Sequence, residues 1–340
     1  MSESARPAID VMIPVAPKDL PNLDTVIGNI RENCLNPIEN IHIIGGAALR
    51  SETPYGAMKG SDVHWFNDED VRPTPEDIHA VLTSMGYDND NVTWYFQQVL
   101  KLGLFNYLNP DAQHVLQVDA DFTFIKPTEF VDTAGRSKLA YGYPFTWHPG
   151  RTLHTIPESH AAISAASRLV PGWRPVDAFS GMQHHMVFDR AVISQLVNTV
   201  QEAHGKPFWN ALIHNIETSN PAGVSEFVLY RHFAHLYTPD RVTSRHINTA
   251  DVIQPKQTAS YTLDQVVEAP KPSHVDAVGC HKFRNFEGAI RTMDYIPDTV
   301  RPELLDNLKP LLLNLHNGVI QISKLDPETT PGDTLDLRSH

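Results

Sequence analysis

Three features of the sequence predict an α/β fold in which a mostly parallel central sheet is flanked by helices. An apolar, β-branched run at Ile9 to Val15 is followed by a segment with helical spacing and then by a second apolar run, Ile41 to Ile44, that closes on Gly45-Gly46. Strand, helix and strand in that order is the βαβ unit, whose two strands lie parallel because the helix carries the chain back to its starting edge. Further on, His114 to Ile125 is another strongly apolar strand, and the segment before it, Trp94 to Leu108, is apolar around most of its circumference. A helix of that kind is buried on most sides, as helices packed against a sheet are.

Taken in order, the first strand follows a polar leader and ends in the loop Ala16-Pro17-Lys18-Asp19. Leu23, Val26, Ile27 and Ile30 place one face of a helix against the core, and Asn36-Pro37 ends it. From Arg50 to Asn91 the chain is polar and interrupted by Pro54, Pro73 and Pro75, so loops are expected, with Val63 to Phe66 as an edge strand. Asn109-Pro110 ends the buried helix before His114. Lys138 to Phe145 reads as a strand, Pro157 to Leu169 as a helix and Met182 to Phe188 as a strand. Asp189 is placed to cap a helix running to Ala203, whose apolar residues are Val192, Ile193, Leu196, Val197 and Val200. Ser225 is placed to cap another, running to Leu236. A Leu-rich helix over Leu304 to Leu315 and a polar tail from Asp326 follow, which divides the chain into one domain over 1–300 and a C-terminal appendage over 301–340.

Of 340 residues, 41% are hydrophobic and 20% charged, enough apolar material for a core and too little charge for wholesale disorder. Lys and Arg number 27 against 40 Asp and Glu, a net charge of −13, which argues against nucleic acid or an anionic membrane as a broad partner. Cys34 and Cys280 cannot form a disulfide framework and fit a reducing compartment. No stretch approaches the about 18 continuous apolar residues of a membrane span, and the leader has no apolar signal core. These features predict a cytoplasmic protein without a transmembrane segment, with a peripheral position at the inner face of a membrane as the variant. GxGxxG, Walker, HExxH and CxxC patterns are absent, so the usual dinucleotide, NTPase, zinc-protease and zinc-ribbon chemistries have no anchor.

The segment richest in chemistry is His114-Val-Leu-Gln-Val-Asp119-Ala120-Asp121-Phe-Thr-Phe-Ile125. In an extended chain Leu116, Val118, Ala120, Phe122 and Phe124 share one face and the two aspartates project together from the other. Carboxylates held that close repel one another unless a cation lies between them or one is protonated. Oxygen ligands favour Mn²⁺ or Mg²⁺ and leave coordination positions for phosphate oxygens. The carboxyl end of a strand in an open α/β sheet is also where ligands gather.

Ile9 to Asp19, Trp94-Tyr-Phe-Gln-Gln-Val-Leu-Lys101, Val115 to Phe124 with its Asp-X-Asp, Ser180 to Arg190 with His184-His185, and Ser225-Glu226 before Tyr230 occur in one order. Together they resemble a bacterial and viral group of GT-A glycosyltransferases catalogued as a domain of unknown function. The resemblance spans 8–290 in scattered blocks. It implies a GT-A-like (Rossmann-like) fold, a nucleotide-diphospho-sugar donor, a divalent ion on the Asp-X-Asp, and transfer of a sugar to a hydroxyl acceptor; an inverting transfer to a glycan or polysaccharide is the reading that follows from it.

By the same resemblance Asp121 would ligate the ion directly, and Asp119 would bind the donor ribose and help hold the ion. His281 would be the third ligand, with Lys282 near the diphosphate. Val15, Lys18, Asp19 and Ala120 would lie along the donor, and Glu226 would take the acceptor proton. His184 and His185, on opposite faces of a short strand, cannot both face the site; one would meet the acceptor, as would Trp147. Gln97 and Lys101 form a polar stripe at i, i+4 on the buried helix, satisfying buried groups or, through Lys101, reaching the donor phosphates. Two other readings fit the residue types: a metal-dependent phosphohydrolase, and a non-catalytic carbohydrate-binding protein on a transferase-like fold.

Overall fold

The first apolar run becomes strand β1 (Ile9–Pro14), a 3-10 turn follows over Pro17–Asn22, and helix α1 (Leu23–Asn33) returns the chain to β2 (Ile38–Gly45). The two strands pair in parallel, with Val11 opposite Ile41 and Pro14 opposite Ile44, so the expected βαβ unit is present. The structure, a computed structural model, describes residues 5–54, 56–87, 91–142, 145, 161–218, 223–255, 262–268, 275–283 and 319–323. Trp147, the Leu304 to Leu315 segment and the tail from Asp326 lie outside the described residues.

A single-turn helix α2 (Ala47–Arg50) leads to β3 (Val63–Asn67), which takes the sheet edge beside β2 as expected. The stretch expected as loops also contains a helix, α3 (Pro75–Ser84). Its start is a capping box: Thr74 Oγ1 accepts from the Asp77 amide, and the Asp77 carboxylate accepts from the Thr74 amide. Pro75 stands at the first helical position, where a fixed φ favours the helix rather than breaking it. Helix α4 (Val92–Leu102) is the buried helix, shorter than the expected span because Gly103 and a 3-10 turn over Leu104–Asn106 end it.

The segment from His114 to Ile125 is not one strand. It is β4 (His114–Val118) in the central sheet and β5 (Phe122–Phe124) in a second sheet, joined by a β-turn in which the Phe122 amide donates to the Asp119 carbonyl at 3.1 Å. The aspartates therefore sit on a turn, not on one face of a strand. A buried charge needs its own partner, and the turn lets each carboxylate meet one.

After β6 (Ser137–Ala140), only part of the span expected there, come α5 (Ala161–Leu169) and β7 (His185–Asp189). Asp189 accepts from the Ala191 and Val192 amides and caps α6 (Arg190–His204), which Gly205 ends in the left-handed region at φ 61°. Helices α7 (Phe208–His214) and α8 (Glu226–Tyr237) follow, the latter capped by Ser225, whose Oγ accepts from the Val228 amide. The remaining elements are β8 (Val242–Arg245), β9 (Thr249–Pro255), α9 (Leu263–Glu268), β10 (Ala277–Phe283) and β11 (Val319–Ser323).

The central sheet has the order β3-β2-β1-β4-β7, parallel except for β7, which runs antiparallel to β4. A second sheet, β11-β9-β10-β5, lies beside it, and β6 pairs with β8. Side chains alternate between two cores. Met12, Ile44, Val115 and Phe188 pack with helices α3 to α8, whereas Val11, Ile13, Ile43, Leu116 and Val118 pack with α1, α9 and strands β5 and β10. Burial on both faces explains why the central strands are nearly continuous apolar runs. Among the described residues no helix is long and apolar enough to cross a membrane.

Because the Thr74 cap is exposed and local, Thr74→Ala should destabilise the protein by about 1 kcal/mol. Urea unfolding should show a lower midpoint with an unchanged slope; an unchanged midpoint would refute the cap's contribution.

Candidate metal and donor site

Two backbone bonds fix the Asp119-Ala120-Asp121 turn between the sheets. The Asp119 amide donates to the His184 carbonyl at 2.9 Å, and the Cys280 amide donates to the Asp121 carbonyl at 2.8 Å. The first ties the turn to the residue before β7 and the second to β10, so chain segments far apart in sequence deliver two histidines to it. His281 Nδ1 lies 3.0 Å from Asp121 Oδ2, and His184 Nδ1 lies 3.3 Å from Asp119 Oδ2. The two imidazoles stack with centroids 3.9 Å apart at 26°. One ligand atom each from Asp121, His184 and His281 falls within 4.8 Å of the others. The cluster stands at the carboxyl end of β4, beside the loop that leaves β1, where open α/β sheets collect ligands.

Lys101, on α4, supplies the central cation. Its Nζ lies 3.0 Å from Asp119 Oδ1 and 2.9 Å from Glu226 Oε1, so one buried ammonium bridges the turn and the first residue of α8. Gln117 Nε2 also donates to Asp119 Oδ1 at 2.8 Å, and Gln98 Oε1 accepts from the Glu226 amide at 2.9 Å. The polar stripe of α4 is thus Gln98 and Lys101; Gln97 is only half-buried. Lys18 pairs with Asp19 at 2.8 Å and lies 3.6 Å from Asp121.

Burial alone would raise the pKa of Asp119, but the Lys101 charge and His184 outweigh it and hold the carboxyl well below its usual range. Asp121 is likewise raised by burial and more strongly lowered by His281 and Lys18, to about 2. Burial lowers Lys101, yet Asp119 and Glu226 drive it above its ordinary value. Desolvation would also lower His281, but Asp121 on one nitrogen and Asp251 on the other, at 3.3 Å, push it up to about 10.

Lys18 and Lys101 pair with Asp19, Asp119, Asp121 and Glu226, and His281 lies between Asp121 and Asp251, so five carboxylates meet three cationic groups. Excess negative charge around a carboxylate and two imidazoles suits a divalent cation, and these residues fit one.

The other expected site residues fall in different places. His185 is not in the site. It is buried among Phe122, Phe124 and Phe130, neither ring nitrogen has a hydrogen-bond partner among the described residues, and desolvation holds it well below the usual histidine range. Alternation along the chain turned one histidine of the pair to the core and the other to the turn. Val15 and Ala120 bury their side chains in the apolar core, which leaves their backbone for any ligand. Lys282 lies in β10, and its side chain is outside the description.

Asp251, Gln98 and Gln117 belong to the cluster and were not singled out from sequence. Asp251 shares the signal that exposed Asp119, a carboxylate within an apolar strand. Another unforeseen feature holds the loop leading to His184. Buried Arg231 forks onto Asp177 at 2.9 and 2.6 Å and donates to the Phe179 carbonyl at 3.1 Å. Gly181, at φ 73°, passes so close that a Cβ would come within 2.4 Å of the Arg231 side chain.

No protein-family model matches this chain, and no curated protein matches it. Among solved structures it is similar to mouse xyloside xylosyltransferase 1 in its apo form, at 8% identity and a TM-score of 0.43, over 80% of this chain and 97% of that one.

Removing the Lys101 ammonium leaves buried Glu226 and half-buried Asp119 without their shared partner. Lys101→Met should cost about 3–5 kcal/mol of stability in chemical denaturation. Adding Glu226→Gln should recover part of that loss, and a double-mutant cycle without coupling would refute the bridge.

Proposed function

We propose that the protein is a metal-dependent glycosyltransferase of the GT-A type, which moves a sugar from a nucleoside-diphosphate donor to a hydroxyl of a glycan or polysaccharide with inversion. The observation that carries this reading is the convergence of Asp121, His184 and His281 on the turn at the carboxyl end of β4. A divalent ion bound there neutralises the donor diphosphate and stabilises it as a leaving group. Two imidazoles with a carboxylate suit Mn²⁺ better than Mg²⁺, which prefers oxygen ligands alone. His184 therefore serves the ion rather than the acceptor.

Asp121 and His281 hold the ion, and Asp119, oriented by Lys101 and Gln117, accepts hydrogen bonds from the donor ribose. Lys18, beside Asp121 at the end of the first strand, reaches the diphosphate side of the donor. Glu226 takes the proton of the acceptor hydroxyl as that oxygen bonds to the anomeric carbon and the bond to the diphosphate breaks on the opposite side. The bridge from Glu226 through Lys101 to Asp119 supports placing proton transfer and donor binding in one site. Among the described residues there is a single cluster of three metal-capable side chains, which favours transfer over hydrolysis by a two-ion centre.

A thermal-shift panel of uridine, guanosine, cytidine and thymidine diphosphates, with and without Mn²⁺, tests the reading. One nucleotide at a hundred times its Kd should stabilise the protein by about 2.7 kcal/mol only when Mn²⁺ is present. Asp121→Ala should abolish that shift. Absence of a metal-dependent shift with every nucleotide would overturn the proposal. For the base, Glu226→Gln should keep the nucleotide shift and lower the transfer rate by about 10²–10⁴-fold; transfer at the parent rate would remove Glu226 from the role.

A further inference from the structure

We propose that Asp251 is the positioning residue for His281, holding the imidazole by Nε2 so that Nδ1 is presented to Asp121 and to the ion. The inference rests on the metal-dependent reading above and deepens it. Asp251 Oδ1, His281 Nε2, His281 Nδ1 and Asp121 Oδ2 form one chain, with contacts of 3.3 Å on the Asp251 side and 3.0 Å on the Asp121 side. Both Asp251 and His281 are buried.

The strand register explains how they meet. β9 and β10 run parallel with Asp251 opposite Gly279, two residues before His281 and so on the same face. The imidazole lies back across Gly279 to reach Asp251. A Cβ at 279 would stand 2.3 Å from His281 Nε2 and 2.4 Å from Asp251 Oδ1, closer than any side chain could tolerate. The backbone of Gly279 is not left-handed, so the space above it, not its conformational freedom, is what requires glycine. Thr249 Oγ1 donates to Asp251 Oδ2 at 3.2 Å and orients the carboxylate.

A buried carboxylate is a poor device for stability alone, since apolar residues of similar volume serve as well or better. Its value lies in the ring it faces. With Asp121 alone beside it, a neutral His281 would carry its proton on Nδ1 and point it at Asp121, which occupies the atom needed for the ion. Asp251 gives Nε2–H an acceptor, so the proton given up on ion binding would be the one on Nδ1 and its lone pair would then face the ion, the arrangement that carboxylates impose on metal-binding histidines.

The test is Mn²⁺ affinity of the metal-free full chain, measured by calorimetry and by the EPR signal of free Mn²⁺. Asp251→Ala should weaken binding about 10–100-fold. Asp251→Asn, which keeps an acceptor oxygen, should weaken it less. In a His281→Ala background, Asp251→Ala should bring no further loss, because it acts through that ring; a general structural role would still lower the affinity. Parent-like affinity in Asp251→Ala, or an additive loss in the His281→Ala background, overturns the inference while leaving the metal site intact. If Asp251→Ala does not fold, Asp251→Leu, of similar size and without an acceptor, decides, and unchanged affinity there overturns the inference equally. If the parent binds no Mn²⁺, or binds it as well after Asp121→Ala, the metal-dependent reading itself fails.

Discussion

The passage of the chain from one sheet to the other at Asp119-Ala120-Asp121 is the constraint on which the site depends. The central sheet is buried on both faces, so a charge within it needs its own buried partner, as Asp10 has in His42 and Asp189 has in Arg241; the turn at the end of β4 gives Asp119 and Asp121 theirs. β5 must begin there because Phe122 and Phe124 fill the second core. The turn between them is held by the His184 carbonyl on one side and the Cys280 amide on the other. These are backbone bonds, so they set where His184 and His281 arrive regardless of what the side chains then do.

Charge follows from that geometry. Asp119 and Asp121 point to different partners, Asp119 to Lys101 and Gln117, Asp121 to His281 and Lys18. Lys101 passes the connection on to Glu226, at the start of α8, and Arg231 farther along the same helix straps the loop that ends at His184. Helices α4 and α8 thereby serve as the rigid floor of the site, while the short turn and the second sheet present its carboxylates and imidazoles. A site mounted on packed helices and paired strands keeps its geometry better than one carried by loops.

Much of this was legible locally. The apolar runs marked β1, β2 and β4, the helical spacing marked α1 and α6, and Asp189 and Ser225 were recognisable caps. The Asp-X-Asp stood out because charge inside an apolar run demands a reason. Other features were hidden by ambiguity in single residues. Pro75 reads as a breaker until Thr74 and Asp77 close the box around it, and α3 was missed for that reason. Residues 114–125 read as one strand because both halves are apolar, although they belong to different sheets. Gln97 and Gln98 are adjacent and chemically alike, and only packing turned Gln98 inward.

Periodicity and capping act between residues a few positions apart, so the sequence by itself determined the α/β class, the principal strands and helices, and an acidic pair inside an apolar run. Which residues meet that pair was decided only by the tertiary structure. Positions 101, 119, 184, 226, 251 and 281 are joined by helix packing and by register between strands distant in the chain. Register shifts of one residue turn a side chain to the opposite face. That is why His184 faces the turn while His185 is buried among phenylalanines, and why Asp251 became visible only once β9 lay beside β10 with Gly279 leaving the space between them.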